Sequence, residues 1–276
     1  MPDLPLGAVI AFDFQAWNVQ EEIAILRQVG IRRVQVWRNY SQGITARHVR
    51  EMLEAAGLAA DSLHGYFQLE PGDRPGSDLS SPDPDVRQDV IEVLRREAEF
   101  ARAIGCRDII VHPAAPGRPA DDPRRRDSFV EAVAALAEIG RREGVRFLVE
   151  NMSPPMFGSD ARVLRQAVDD TGGRHVGLNY DSGHAMLAGD PVGAVRAMGP
   201  RLWGVHLHDN LGEKDDHMIP GTGRVPLEEI ARALAEVGYG GTFMLEVYRP
   251  TDEVRRDLTA ERLAFIERLR RLASGS

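Results

Sequence analysis

A single cysteine, Cys106, stands in a chain of 276 residues. It excludes an intramolecular disulfide and sets the expectation of a reducing, cytoplasmic setting. No run approaches the about 18 uncharged apolar residues that a membrane span needs, so no membrane partner is expected. The opening MPDLPLGAVIAFDF has neither a basic n-region nor a small-residue cleavage site, and no secretory leader is expected from it. Positive charge is short as well: 34 lysines and arginines face 42 aspartates and glutamates, a net charge of −8. That balance argues against a nucleic-acid partner, because phosphate binding needs a basic footprint, although a local basic rim can sit on an acidic body. Lysine is scarce beside arginine, a bias to which no function attaches. The glycine-rich fingerprint of dinucleotide sites does not follow the first apolar run.

What is present is a globular mixture, 43% hydrophobic and 28% charged, unlike that of disordered chains. Short apolar runs alternate with longer amphipathic stretches from end to end. The runs are GAVIAF (7–12), RRVQVW (32–37), LAADSLH (58–64), RDIIVH (107–112), VRFLVE (145–150), HVGLNYD (175–181), LWGVHLH (202–208) and TFMLEV (242–247). Helical spacing marks about 19–29, 45–56, 86–104, 126–142, 159–170, 191–198, 227–237 and 258–272. Glycines 30, 57, 105, 144 and 238 follow helical stretches, as helix stops do. Eight strand–helix units predict an α/β fold, a single (β/α)8 TIM barrel over residues 1–273 with a disordered tail at 274–276. An open doubly wound sheet is the alternative. Two longer connections, 65–85 and 209–226, follow strand C-termini, the face on which barrels build their sites.

Six of the eight histidines, His64, His112, His184, His206, His208 and His217, fall at predicted strand C-termini or in the loops just after them. Only His48 and His175 lie elsewhere. Glu150, Asp181 and Glu246 join them at the same level. A closed barrel gathers strand ends around one mouth, where carboxylates and imidazoles would repel or stay desolvated unless a cation neutralises them. Mixed imidazole and carboxylate donors without cysteine suit Zn²⁺ or Mn²⁺, with Mg²⁺ or Co²⁺ as further candidates. His206 and His208 are two apart on a strand and so share a face. In Asp181-Ser-Gly-His184 the glycine is expected to let the chain fold back toward the same pocket. Asp215 and His217 precede Pro220-Gly-Thr-Gly223, which is expected to fold the loop over the mouth.

The motifs LVEN, NYDSGHA, VHLHDN, DDHMIPGTG and GYGGTFMLEV resemble the xylose isomerase-like TIM-barrel superfamily of sugar isomerases and epimerases, to which apurinic endonucleases of the endonuclease IV type also belong. The likeness runs over about residues 6–270 and is strongest in the second half. It implies Glu150, Asp181, His206 and Glu246 as metal ligands, with His208 as the rival to His206. It also implies a second group of ligands in His64, His112, His184, Asp215 and His217, and hence two or three ions; otherwise these residues bind substrate hydroxyls. The activity implied is isomerisation or epimerisation of a sugar or related polyol through an enediolate. Glu150 and Glu246 would exchange the proton from opposite parts of the ring, and His64, His112, His184, His208 and His217 would bind substrate. Trp37, with Tyr66 and Phe67, reads either as an apolar wall of the substrate site or as packing at the barrel top. The epimerase branch carries a further acid shortly after the strand-five glutamate, whereas NMSPPMFGSD has none before Asp160, which argues against a ketohexose epimerase-type substrate. Two alternatives stand beside this reading. One is an apurinic-site endonuclease with a polynuclear zinc centre, favoured by the ligand set and by Arg38-Asn39. The other is an inactive metal- or sugar-binding protein. Assembly with further copies of the chain stays open.

Overall fold

The computed structural model describes residues 3–12, 18–38, 43–65, 78–115, 118, 121–171, 173–247 and 251–275. Its strands are β1 (Leu6–Phe12), β2 (Arg33–Arg38), β3 (Ala59–His64), β4 (Asp108–Val111), β5 (Arg146–Glu150), β6 (Val176–Asp181), β7 (Leu202–His206) and β8 (Phe243–Leu245). Between and after them run α1 (Val19–Gln28), α2 (Ala46–Ala56), α3 (Pro84–Ile104), α4 (Arg124–Glu143), α5 (Ala161–Asp170), α6 (Ser182–Leu187), α7 (Pro191–Met198), α8 (Leu227–Glu236), α9 (Thr251–Asp257) and α10 (Ala260–Ala273). The strands pair in parallel in the order β7-β6-β5-β4-β3-β2-β1-β8. The ring closes through one parallel bridge, Leu207 to Leu245, where Leu207 donates its N–H to the Met244 carbonyl at 2.9 Å and accepts from Glu246 N–H at 3.2 Å.

Local chemistry explains the alternation. α3 puts Val90, Leu94, Ala98 and Ala101 on one buried face, begins under the Asp83 cap and stops where Gly105 takes φ 94°, a left-handed turn that costs glycine no Cβ clash. Along the strands every second side chain faces outward, so Val34, Val36, Ile109, Val111, Phe147 and Val149 pack against the helices in one continuous core. The inward positions between them are more polar: Gln35 donates to Ser62 Oγ at 2.9 Å, and Asn179 donates to Glu150 Oε2 at 3.1 Å. Consequently the chemistry-bearing residues line the inside of the ring at its C-terminal end.

Two helices escaped the sequence pattern. α6 starts directly after Asp181 and α9 follows β8; both are too short to show periodicity. Ser274, in the terminal segment read as disordered, is buried and caps α10, its hydroxyl donating to the Arg271 carbonyl at 2.8 Å. Tyr66, Phe67, Asn39 and most of the 65–85 connection lie outside the described residues.

Glu22 of α1 faces the apolar space against β1 and β8. Burial pushes its carboxyl up from 4.5 to about 7, and a hydrogen bond from Ala11 N–H at 3.1 Å offsets only part of that. The folded chain then keeps a proton that the unfolded chain releases, so this group's contribution falls as pH rises from about 4.5 through 7. Glu22→Gln removes that loss. Urea unfolding should find the variant more stable than the parent by about 1–2 kcal/mol at pH 8 and equal to it near pH 4. The same difference at both pH values would refute the assignment.

Candidate metal centre

Glu150 ends β5, Asp181 ends β6 and His206 ends β7, and Glu246 follows β8 by one residue. The ladder register sets Glu150 beside Asn179 and Asp181 beside His206. Parallel strands end on one face, so the four functional groups meet there. Their donor atoms lie within 4.8 Å of one another, and all four residues are buried. His206 Nδ1 is 3.1 Å from Glu150 Oε2, 3.1 Å from Glu246 Oε1 and 4.0 Å from Asp181 Oδ2.

Of the two histidines of the strand-seven motif, His206 lies in the four-residue group and His208 does not. His208 Nε2 instead pairs with Asp181 Oδ2 at 3.0 Å and approaches Asp215 Oδ1 at 3.7 Å, while its ring stacks on His217 with centroids 4.2 Å apart. Glu150 and Glu246 sit three strands apart, on either side of His206, because closure brings β8 next to β7.

Three further groupings surround this centre. His64, His112 and Glu150 form one, with the two imidazole centroids 5.1 Å apart. Asp181, His208 and Asp215 form another, and His208, His217 and Glu246 a third. Asp215 Oδ2 lies 3.1 Å from His184 Nε2 and 2.9 Å from His217 Nε2, so the 209–226 connection does reach over the mouth. Every histidine expected at the mouth is therefore there. His175 contacts the Val145 carbonyl and His48 lies on α2, both away from it.

Burial of so many ionisable groups perturbs them strongly. Burial holds His64 at about 3, aided by the neighbouring His112, so it is a neutral imidazole whose Nδ1–H donates to the Gly65 carbonyl at 3.0 Å. Burial lowers His112 likewise. Burial would lower His206 too, but the Glu246 and Glu150 carboxylates outweigh it and raise its proton affinity well above the ordinary histidine value. Burial and the nearby Glu150 carboxylate raise Glu246. The three carboxylates thus need positive charge beside them, which a proton on His206 or a divalent cation would supply.

The donor chemistry fits a cation. Neither ring nitrogen of His206 makes a hydrogen bond of good geometry despite the short approaches, and Glu246 Oε2 and Asp215 Oδ1 are likewise buried without one. Oxygens and nitrogens crowded in this way around a common point suit a divalent cation.

Around these four residues is a set to which the sequence had assigned no role. Asn151 holds Asp181 at both backbone groups, accepting from its N–H at 2.8 Å and donating to its carbonyl at 3.1 Å. The Asn151 carbonyl also meets His184 Nδ1 at 2.8 Å. Asn179 orients Glu150, and Ser182 locks to the His208 backbone, accepting from its N–H at 3.0 Å and donating to its carbonyl at 2.8 Å. Such supports fix ligand orientation. The signal in the sequence was their place within two positions of a strand-end acid. Gly183 has a different reason from the fold-back expected of it. Its backbone is helical within α6, and an added Cβ would fall 2.0 Å from His208 Cε1. Trp37 is buried, donates Nε1–H to Gln35 at 3.1 Å and packs edge-on to His64 with centroids 4.8 Å apart. Arg38 turns to α3, where it pairs with Glu97 and covers the Phe100 ring at 3.9 Å.

A family model described as a xylose isomerase-like TIM barrel matches residues 21–269. An uncharacterized protein of Methanocaldococcus jannaschii is 28% identical over 70% of this chain and 69% of its own. A D-psicose 3-epimerase of Ruminiclostridium cellulolyticum is 30% identical over 62% of this chain and 59% of its own. Among solved structures, the IolI protein with a bound zinc atom superposes with a TM-score of 0.73 at 18% identity, over 97% of this chain and 98% of that one.

Proposed function

Since the chain belongs to the xylose isomerase-like TIM-barrel family, we propose that it is a divalent-metal-dependent isomerase or epimerase of a sugar or related polyol. The observation that carries this reading is the meeting of Glu150, Asp181, His206 and Glu246 within 4.8 Å at the barrel mouth. The D-psicose 3-epimerase relative and the zinc-bound IolI structure support it. These four residues would hold Mn²⁺ or Zn²⁺, with Mg²⁺ or Co²⁺ as alternatives. When bound, such a cation supplies Lewis-acid stabilisation for the negative charge that develops on a sugar carbonyl and its neighbouring oxygen.

The chain's own residues do the rest. Glu150 and Glu246 flank His206 from β5 and β8, placed to take a proton from the carbon beside the carbonyl and to return one. Asn179 keeps Glu150 aimed into the ring. His184, His208 and His217, linked through Asp215 and Asp181, offer directional partners for hydroxyl groups. His64 and His112 do the same on the β3–β4 side, with Trp37 as the floor beneath His64.

One observation favours a second reading, an apurinic-site endonuclease with several zinc ions. The His64–His112–Glu150 and Asp181–His208–Asp215 groups could each hold an ion beside the first. Against it, the 209–226 loop carries Lys214 and Arg224 against Asp209, Glu213, Asp215 and Asp216, and Lys214 is engaged by Asp216 at 3.1 Å. A strand-binding cleft needs a basic strip. The test is a panel of ketoses and aldoses in deuterated water, run beside an incision assay on abasic duplex DNA with Zn²⁺ and Mn²⁺. Deuterium entering a sugar carbon without efficient incision is expected. Rapid incision with no deuterium in any sugar overturns the isomerase reading.

A further inference from the structure

The 209–226 connection owes its shape to one buried carboxylate. Asp209 is 1% exposed. Its Oδ1 accepts from the backbone N–H of Asn210 at 3.0 Å and of Val225 at 2.9 Å; its Oδ2 accepts from Gly221 at 3.0 Å and Gly223 at 2.8 Å. Amides up to sixteen residues away along the chain therefore converge on one side chain. The Asp209 backbone also bridges Met218 in both directions at 2.8 Å, and Arg224 N–H reaches the Asn210 carbonyl at 2.8 Å. Gly223 fits so closely that a Cβ would lie 2.4 Å from Asp209 Oδ1. From the outer side Arg262 of α10 donates to the Gly221 carbonyl.

Between the gathered ends hang Asp215 and His217. His217 has φ 46°, the left-handed region that a non-glycine residue keeps only when its surroundings enforce it. Its ring is stacked on His208, and its Nδ1 meets the Glu246 carbonyl at 3.2 Å. Among the described residues the Asp209 side chain makes no hydrogen bond to the metal group; its acceptor capacity goes to the loop's own amides.

We propose that Asp209 is a positioning residue. Its carboxylate is the template on which residues 210–225 fold into the one arrangement that sets Asp215 and His217 over the centre, so that the cover of the site is prebuilt rather than closed by substrate. A carboxylate suits this task because it offers two acceptor oxygens and no donor to oppose the incoming N–H groups. An asparagine of the same shape would turn an NH₂ toward two of them. The effect on turnover rests on the isomerase reading; the effect on the loop does not.

The experiment compares Asp209→Asn, Gly223→Ala and His217→Ala with the parent chain. Amide hydrogen exchange read by mass spectrometry should accelerate about 100-fold over residues 210–225 in Asp209→Asn, with β1 to β6 unchanged. Gly223→Ala attacks the same clasp from the loop side and should give the same local pattern, which keeps the idea testable if Asp209→Asn folds poorly. In the deuterium-exchange assay on the sugar found, kcat should fall in Asp209→Asn to about the level of His217→Ala, and the double variant should be no worse than either. Unchanged protection of 210–225 in both variants overturns the proposal, as does faster exchange across the whole barrel. Additive losses with His217→Ala overturn it too. If the parent turns over no sugar, the isomerase reading fails, and the exchange pattern of the loop still decides the role of Asp209.

Discussion

Glu150→Gln should abolish turnover while leaving the barrel folded. The substitution keeps the size of the side chain and its bond from Asn179, but removes a charge felt by four neighbouring histidines. His206 Nδ1 stands 3.1 Å away, His184 Nδ1 3.5 Å away, and the His64–His112 pair completes a group with the same carboxylate. Loss of a proton-transfer group alone is worth about 10²–10⁴-fold. Loss of a metal ligand adds to it, so activity should drop by at least about 10³-fold. Stability should fall while the barrel stays folded. Glu150 is buried, and although burial opposes its charge, His206 outweighs burial and holds the carboxyl below its usual value, so the amide forfeits that pairing. The measurement is turnover together with elemental analysis and circular dichroism of the purified variant. Full metal content with residual turnover near the parent's would remove Glu150 from the centre.

The fold was legible because its cues are local and repeated. Eight apolar runs, amphipathic stretches between them and glycine stops such as Gly105 and Gly144 recur along the chain, and each reports its own neighbourhood. The candidate site was legible for a related reason. A parallel barrel turns the position "last residue of a strand" into a place in space, so Glu150, Asp181 and His206 could be assigned to one mouth before any contact was known. What stayed hidden depends on contacts between distant parts. His206 and His208 share a strand face, and only the register of β6 on β7, Asp181 against His206, separates their surroundings. The distance between Glu150 and Glu246 depends on closure between β7 and β8, which among the described residues is a single bridge. Asp209 looks like any loop aspartate until the amides of Gly221, Gly223 and Val225 return to it. Gly183 looks like a hinge, and only the nearby His208 ring reveals that it is there for space.

Stripping the protein of divalent metal should cost both activity and thermal stability, and the size of the second loss reports the number of ions. Glu150, Asp181 and Glu246 are at most 2% exposed and share one small volume. Without a cation their charge is answered by the protons that they hold on His206 and His184. A ligand that binds only the folded chain stabilises it by RT ln(1 + [L]/Kd), about 2.7 kcal/mol when the free metal is 100 times Kd. For a chain of this length that corresponds to roughly 5–10 °C in Tm per ion. Chelated protein should therefore melt at least about 5 °C lower and recover on adding Mn²⁺ or Zn²⁺. The midpoint should rise with the logarithm of free metal. Metal binding must displace the His206 proton, so the stabilisation should weaken as pH falls. Asp181→Asn serves as the control, because Asp181 stands in the four-residue group and in the Asp181–His208–Asp215 group but not with His64 and His112. If one ion binds, the variant loses all metal dependence of Tm. If a further ion binds at His64, His112 and Glu150, a reduced dependence survives in Asp181→Asn and disappears on adding His64→Ala. A melting temperature indifferent to chelation in the parent protein would show that the buried carboxylates are neutralised by protons alone, and the metal-dependent reading would fall with it.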